Sequence, residues 1–290
     1  MVIVRLIGGL GNQLFQYALG RTLAARHATK LKLDIRGYGS YALYSYALDR
    51  FNIIESIATP DEVRRLRGGG WIGEQLPRGL QKLNAFRRAS HILERRFSFD
   101  PAVLESPDNI YLDGYWQSEK YFKNMESVLR REFTVRTALT GPNRAMAARI
   151  AACDAVSLHV RRGDYASNPN ARRVHGLCGI DYYQAAVRRI AERIPHPHFF
   201  VFSDEPEWAA ANLGLDHPLT VVTGNDASHG HEDLRLMSLC RHHIIANSTF
   251  SWWGAWLNPN ADKIVIAPAR WFADEQRNTR DLFPRSWLAI

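Results

Sequence analysis

The chain has 290 residues, 46% of them apolar, and a formal net charge of +8 from 37 Lys plus Arg against 29 Asp plus Glu. This suffices for two ordinary cores, and the charge fits an anionic partner, whether nucleic acid, a membrane surface or a nucleotide-linked substrate. Cys153, Cys178 and Cys240 never fall in C-x-x-C spacing, no stretch reaches the ~18 apolar residues of a membrane span, and the start lacks the pattern of a signal peptide; disulfide framework, zinc knuckle and spanning helix are set aside, and a cytoplasmic protein is expected.

Residues 2–6 form a short apolar run, followed by Gly8, Gly9 and Gly11 and a helical pattern from Asn12 to about His27: the strand, turn and helix that open an α/β domain. Leu14, Tyr17, Ala18, Arg21 and Ala25 recur at helical spacing, so the apolar members are expected against a sheet, with Asn12 and Gln13 at the helix start. The order G-G-L-G-N-Q is not G-x-G-x-x-G, and no NAD site is read from it. Two readings stand: a tight turn with an N-cap, or a turn where the backbone at Gly11 and the Asn12 side chain approach a ligand. Residues 31–34 read as a second strand ending in the carboxylate of Asp34. Tyr38, Tyr41, Tyr44 and Tyr46 crowd an irregular segment, either as packing residues or as faces for sugar rings. Residues 61–96 are rich in Arg and Gly without periodicity: a solvated face, or a basic excursion toward an anionic acceptor or membrane.

Residues 110–116 resemble a strand ending in Asp113, Trp116 and Gln117. Residues 118–133 read as a helix with Tyr121, Phe122, Met125 and Leu129 on one face. The turn at Gly141-Pro142 marks the expected boundary between a domain of residues 1–141 and one of residues 142–290. Beyond it, strands at 155–159, 198–202, 219–223, 243–246 and 263–267 alternate with helices at 180–194, 207–211, 231–241 and 249–257. That alternation predicts a parallel sheet with ligands at the strand carboxyl ends.

Three of those strand exits are polar. H-V-R-R-G-D-Y at 159–165 puts His159, Arg161, Arg162 and Asp164 at one strand end, where guanidinium forks suit phosphate oxygens. Ser203, Asp204 and Glu205 follow the next strand. Asn247, Ser248 and Thr249 precede a helix whose free N–H groups and dipole suit a phosphate, with ordinary N-capping as the plainer account. Trp252, Trp253 and Trp256 form a stripe expected in the core. No D-x-D and no H-E-x-x-H occurs, so splitting a nucleotide-sugar would rely on arginines and a helix amino end to neutralise the diphosphate. His229 and His231 beside Glu232 and Asp233 allow a metal site, a guanine-facing carboxylate or a surface loop.

G-G-L-G-N-Q, Y-W-Q-S-E-K-Y-F at 115–122, H-V-R-R-G-D-Y and N-S-T-F-S-W-W at 247–253, in that order, resemble the bacterial α-1,2-fucosyltransferases of glycosyltransferase family eleven over nearly the whole chain. The resemblance implies a GT-B fold, two Rossmann-like α/β domains facing across a cleft, with GDP-fucose held mainly by the second and a galactose-containing acceptor by the first. It implies an inverting enzyme with no metal and no other cofactor, and no nucleic-acid partner; peripheral membrane contact stays open. In that frame Arg161 and Arg162 hold and stabilise the leaving diphosphate, Ser248 and Thr249 bind phosphate with Ser203, Asp204 and Asn247 nearby, and His159 with Asp233 or Glu232 faces the guanosine. Asn12, Gly11 and Trp116 are expected to contact substrate from the first domain. Asp34, Asp113 and Asp164 are the carboxylates available as a base, Asp164 more naturally as a partner orienting an arginine.

Overall fold

A computed structural model of the chain describes residues 1–40, 43–67, 90–274 and 276–290; Tyr41 and most of the Arg- and Gly-rich segment lie outside the described residues. The chain divides into two compact units, Met1–Thr134 with Arg280–Leu282, and Val135–Thr279 with Phe283–Ile290. The division therefore precedes the Gly141-Pro142 turn, which instead opens a helix inside the second unit. The return of residues 280–282 has a local cause. Ser118 Oγ donates to the Asp281 carbonyl at 2.6 Å, and the Asp281 carboxylate pairs with Lys120 and accepts from the Phe99 N–H at 3.1 Å.

The first unit contains β1 (Val2–Arg5), α1 (Leu10–Arg26), β2 (Leu31–Asp34), α2 (Pro60–Arg67), β3 (His91–Leu93), β4 (Ile110–Asp113) and α3 (Glu126–Glu132). Its strands are all parallel, in the order β2-β1-β4-β3, with Val2 opposite both Leu31 and Ile110. The central β1 is apolar on both faces, with Val2, Ile3 and Val4 fully buried, as a covered parallel strand requires. Leu14, Phe15, Tyr17, Ala18, Leu19 and Leu23 of α1 are likewise fully buried, so this helix is enclosed on most sides. Ala25, expected on the buried face, is exposed in the last turn.

The helix expected over residues 118–133 is broken. Two 3₁₀ turns, Glu119–Tyr121 and Lys123–Met125, precede the short α3. Ser118 is pulled toward Asp281, and the Tyr121 hydroxyl accepts from the Asp100 N–H at 2.9 Å. Tertiary bonds at these two points override a favourable helical pattern.

The second unit contains α4 (Gly141–Ala151), β5 (Asp154–Val160), α5 (Gly163–Ser167), α6 (Pro169–His175), α7 (Ile180–Ala191), β6 (Pro197–Ser203), α8 (Pro206–Asn212), β7 (Leu219–Val221), α9 (Gly230–Leu239), β8 (His242–Ile244), α10 (Thr249–Leu257), β9 (Val265–Ala267) and β10 (Leu288–Ala289). The strands are parallel in the order β10-β9-β8-β5-β6-β7. Strand alternation builds a core on each face. Val156, Leu158, Val160, Phe199 and Val201 pack with Tyr183, Ala186, Val187 and Ile190 of α7. Ala155, Phe200 and Phe202 pack on the other face with Ile150 of α4 and Leu236 and Met237 of α9. The sequence missed α5 and α6 because each is only one or two turns long; α6 starts on a local cap, the Asn168 side chain accepting from the Asn170 and Ala171 N–H groups, and α5 has no side-chain cap. Among the described residues no helix is long and apolar enough to cross a membrane.

Candidate functional site

Because β8, β5 and β6 are neighbours and parallel, the residues leaving them meet along one sheet edge. Arg161, the first residue past β5, sits between two carboxylates: Nη2 reaches Asp164 Oδ1 at 2.5 Å and Nη1 reaches Asp204 Oδ2 at 2.8 Å. Its guanidinium lies over the Tyr165 ring, 5.2 Å from the centroid; Tyr165 stacks on His175 at 4.4 Å with the rings 2° from parallel. Arg162 is braced differently. Its Nε donates to Glu205 at 2.7 Å, its backbone N–H to Asp204 Oδ1 at 2.9 Å, and its guanidinium lies 3.7 Å from the centre of Trp208. Gly163 allows this closeness, since a Cβ there would stand 2.5 Å from Asp204 Oδ2. Ser203 holds the loop by accepting from the Glu205 N–H at 3.0 Å.

His159, the penultimate residue of β5, is 6% exposed, and its ring lies 5.7 Å from that of Phe250 in α10. Burial, with a smaller contribution from the Arg161 charge, pushes its pKa down to about 3, so the ring is neutral. Its Nδ1 is buried and has no hydrogen-bond partner among the described residues. At the third exit, at the N-terminus of α10, the N-cap residue is Ser248, whose hydroxyl makes no capping bond. Thr249 is the first helical residue and half-buried. Asn247 is committed to its own chain, donating to the His175 and Trp271 carbonyls at 2.8 and 3.3 Å and accepting from Cys178 Sγ at 3.5 Å. Its place in the motif reflects loop anchoring.

The acidic pair on α9 separates into two roles. Glu232 is clamped by Arg235, Nε to Oε2 at 3.0 Å. Asp233 accepts from Asn225 at 2.7 Å, and Asn225 exchanges amide bonds with Asn143 at 2.9 and 3.0 Å. Burial first, then the neighbouring Glu232, raises the Asp233 pKa to about 6 against a partial lowering by Asn225. A carboxyl raised from 3.8 in this way stabilises the fold below pH ~4, and that contribution is lost as pH rises through about 6. Asp233→Asn is therefore expected to leave stability unchanged below pH 4 and to raise it by about 2–3 kcal/mol at pH 8, measured by urea unfolding at the two pH values. No group of three or more possible metal-ligating side chains occurs among the described residues, and His229 pairs with Asp226 at 2.8 Å.

In the first unit, Gly8 takes a φ of +76° at the turn before α1, and a Cβ there would stand 2.5 Å from Asn12 Nδ2. Gly11 is buried in the first turn, whose N-cap is Gly9 rather than Asn12. The Asn12 Oδ1 accepts from Gln117 at 2.9 Å, so two motifs far apart in sequence meet at the carboxyl edge of this sheet. Trp116 is 1% exposed with φ +57°. It is a wall, not an open stacking face. Asp34 is saturated: Arg36 donates from N, Nε and Nη2 at 3.2, 2.8 and 2.9 Å, and the Tyr111 hydroxyl donates at 2.8 Å. Burial alone would raise its pKa, but these bonds outweigh it and the net shift is downward. With its acceptor positions occupied, Asp34 is a poor proton acceptor. Asp113 likewise pairs with Arg5 at 2.9 Å.

Two Rossmann-like parallel-sheet units place the chain in the GT-B class of glycosyltransferase folds. Arabidopsis thaliana FUT1, a mutant in complex with GDP, superposes with a TM-score of 0.53 at 13% identity, covering 99% of this chain and 75% of that one. The model of glycosyl transferase family 11 matches residues 83–290. An Escherichia coli alpha-1,2-colitosyltransferase is 35% identical over 296 residues, covering 100% of this chain and 99% of the relative. The Escherichia coli O-antigen biosynthesis glycosyltransferase WbnK is 31% identical over 304 residues, with 98% and 99% covered. The chain belongs to glycosyltransferase family 11.

Proposed function

We propose that this glycosyltransferase moves L-fucose from GDP-fucose to O2 of a galactose-containing acceptor, with inversion, in the cytoplasm and without a metal ion. The acceptor oxygen forms the new bond to the sugar C1 as the bond from C1 to the β-phosphate oxygen breaks, and GDP leaves with the electron pair. The observation that carries this reading is Arg161, held between Asp164 and Asp204 at the strand edge that also bears the uncapped start of α10. Preset cationic and N–H donors stabilise charge that grows on a leaving diphosphate. Arg162, braced by Glu205 and Trp208, adds a second positive charge. Asp164 orients Arg161; the acceptor proton passes to water on the face of the sugar opposite the departing diphosphate, and the saturated Asp34 takes no part. The neutral His159 ring and the Asp233 carboxylate face the guanosine, and the first unit holds the acceptor.

The colitosyl relative, matched over the full chain, supports a second reading in which the sugar is colitose, the 3-deoxy counterpart of fucose. A site that hydrogen-bonds the 3-hydroxyl rejects the analogue lacking it by roughly 10⁴-fold, so GDP-fucose and GDP-colitose turned over side by side separate the two. Calorimetric titration with GDP, followed by turnover on lactose and methylation analysis of the product, tests the rest. Undetectable GDP binding would end both readings. Activity is expected to persist undiminished in EDTA; loss in EDTA with rescue by Mn²⁺ would overturn the metal-free mechanism.

A further inference from the structure

A cavity of about 620 Å³ lies wholly within the first unit, outside the site described above. Arg95, Arg96 and Arg280 line it. Arg95 and Arg96 are exposed and have no ion-pair partner among the described residues, while Arg280 meets Asp281 at 3.4 Å. Leu93, 57% exposed, and the half-buried Phe99 also line it; the Phe99 ring already has the Lys120 ammonium over it, 5.8 Å from the centroid, and Tyr121 against it at 4.8 Å. Glu94, Asp100 and His91 also line the cavity. Both carboxylates are already engaged. Glu94 accepts from the Tyr115 and Trp116 N–H groups at 2.7 and 3.0 Å, and Asp100 Oδ1 accepts from the Ala102 N–H at 3.0 Å. The lining thus carries three guanidiniums against two carboxylates that are occupied by backbone N–H groups, and Arg95 and Arg96 keep unspent N–H donors.

Such a chamber suits an oxyanion carried on a partly apolar ligand. Guanidinium groups recognise carboxylate and phosphate through paired donors, and the exposed Leu93 side chain offers an apolar surface for the C–H groups of a sugar. We propose that this cavity is an acceptor subsite that selects an anionic saccharide, with Arg95 and Arg96 binding a phosphate or carboxylate on the sugar next to the one that is modified. The inference rests on the transferase reading for the word acceptor, but the binding itself does not. Glu94 is a positioning residue here: its bonds to the Tyr115 and Trp116 N–H groups fix the backbone that sets Trp116, in the left-handed region, in the cavity lining. The volume accommodates roughly a disaccharide, within the ordinary range for small-ligand sites.

The test is a titration of the full chain, in the absence of donor, with lactose, lactose 1-phosphate and lactobionate, followed by NMR or calorimetry. At least one anionic probe is expected to bind about tenfold or more tightly than lactose, a difference of about 1.4 kcal/mol, and to weaken as salt rises. Preference for the 1-phosphate or for lactobionate identifies which oxyanion the arginines take. The double variant Arg95→Ala, Arg96→Ala changes exposed residues only; it is expected to lose the anionic preference while lactose and GDP affinities hold. Equal affinity for the three probes, or a preference that survives the double variant, would overturn the proposal. GDP affinity and transfer to lactose report separately on the transferase reading, so the two failures cannot be confused.

Discussion

Arg161→Ala is expected to lower kcat by about 100-fold or more, the scale for removing one preorganised donor to a transition-state charge. The side chain is held by Asp164 at 2.5 Å, Asp204 at 2.8 Å and the Tyr165 ring, so in the proposed reaction it would meet leaving-group charge without reorganising. The variant also leaves two carboxylates facing the diphosphate, which turns a favourable field into a repulsive one. Arg161→Lys is expected to stay within about tenfold of the alanine variant, because a point charge cannot span both carboxylates and still present a fork to phosphate. Initial rates with GDP-fucose and lactose, at donor concentrations bracketing KM, measure both variants. Near-parental turnover in Arg161→Ala would remove it from the mechanism. Arg162→Ala supplies a contrast: with its Nε on Glu205 and its face on Trp208, its loss should also lower the stability of the second unit.

The second large effect is structural. Trp252→Ala is expected to destabilise the second unit by about 3–5 kcal/mol. Trp252 has no exposed surface and touches Trp253, Trp256 and Trp287 with ring centroids 5.0, 6.2 and 5.3 Å away. The C-terminal segment that carries Trp287 is thereby packed onto α10, the helix whose start forms part of the site. Denaturant unfolding should show the second unit's transition moved to lower concentration. A change below about 0.5 kcal/mol, typical of surface substitutions, would mean that the tryptophan stripe is not core.

Much of the second unit was readable in the chain. Strand and helix alternate with ordinary caps and turns there, and α10 runs over Thr249–Leu257 as its apolar pattern predicts. Runs such as Phe199 to Phe202 state the strand and both of its cores, because alternate residues must face opposite helices. The first unit was less readable. Its helix after β4 is broken by bonds to Asp281, a residue 163 positions from Ser118, and no local propensity encodes such a partner. Site roles divided the same way. Motif spacing brought out Arg161, Arg162, Ser248 and Thr249, but it could not distinguish Asn247, whose amide serves its own loop, from a ligand contact. Nor could it separate Asp34, with every acceptor position filled, from an available base. Trp208, His175 and Glu94 were missed because each acts through a neighbour distant in sequence and carries no motif.

The sequence alone determined the α/β class, the parallel second sheet, the motifs that place the chain in its family and the gathering of arginines at one strand end. These follow from periodicity, turn chemistry and charge, which are local. The tertiary structure alone decided which polar groups are spent and which remain available: Arg161 shared between Asp164 and Asp204, Ser248 uncapped, Asp34 saturated, Arg95 and Arg96 facing a chamber without a carboxylate of their own. Hydrogen-bond and ion-pair capacity is a sum over neighbours in space, and those neighbours come from strands brought together only when the sheets form.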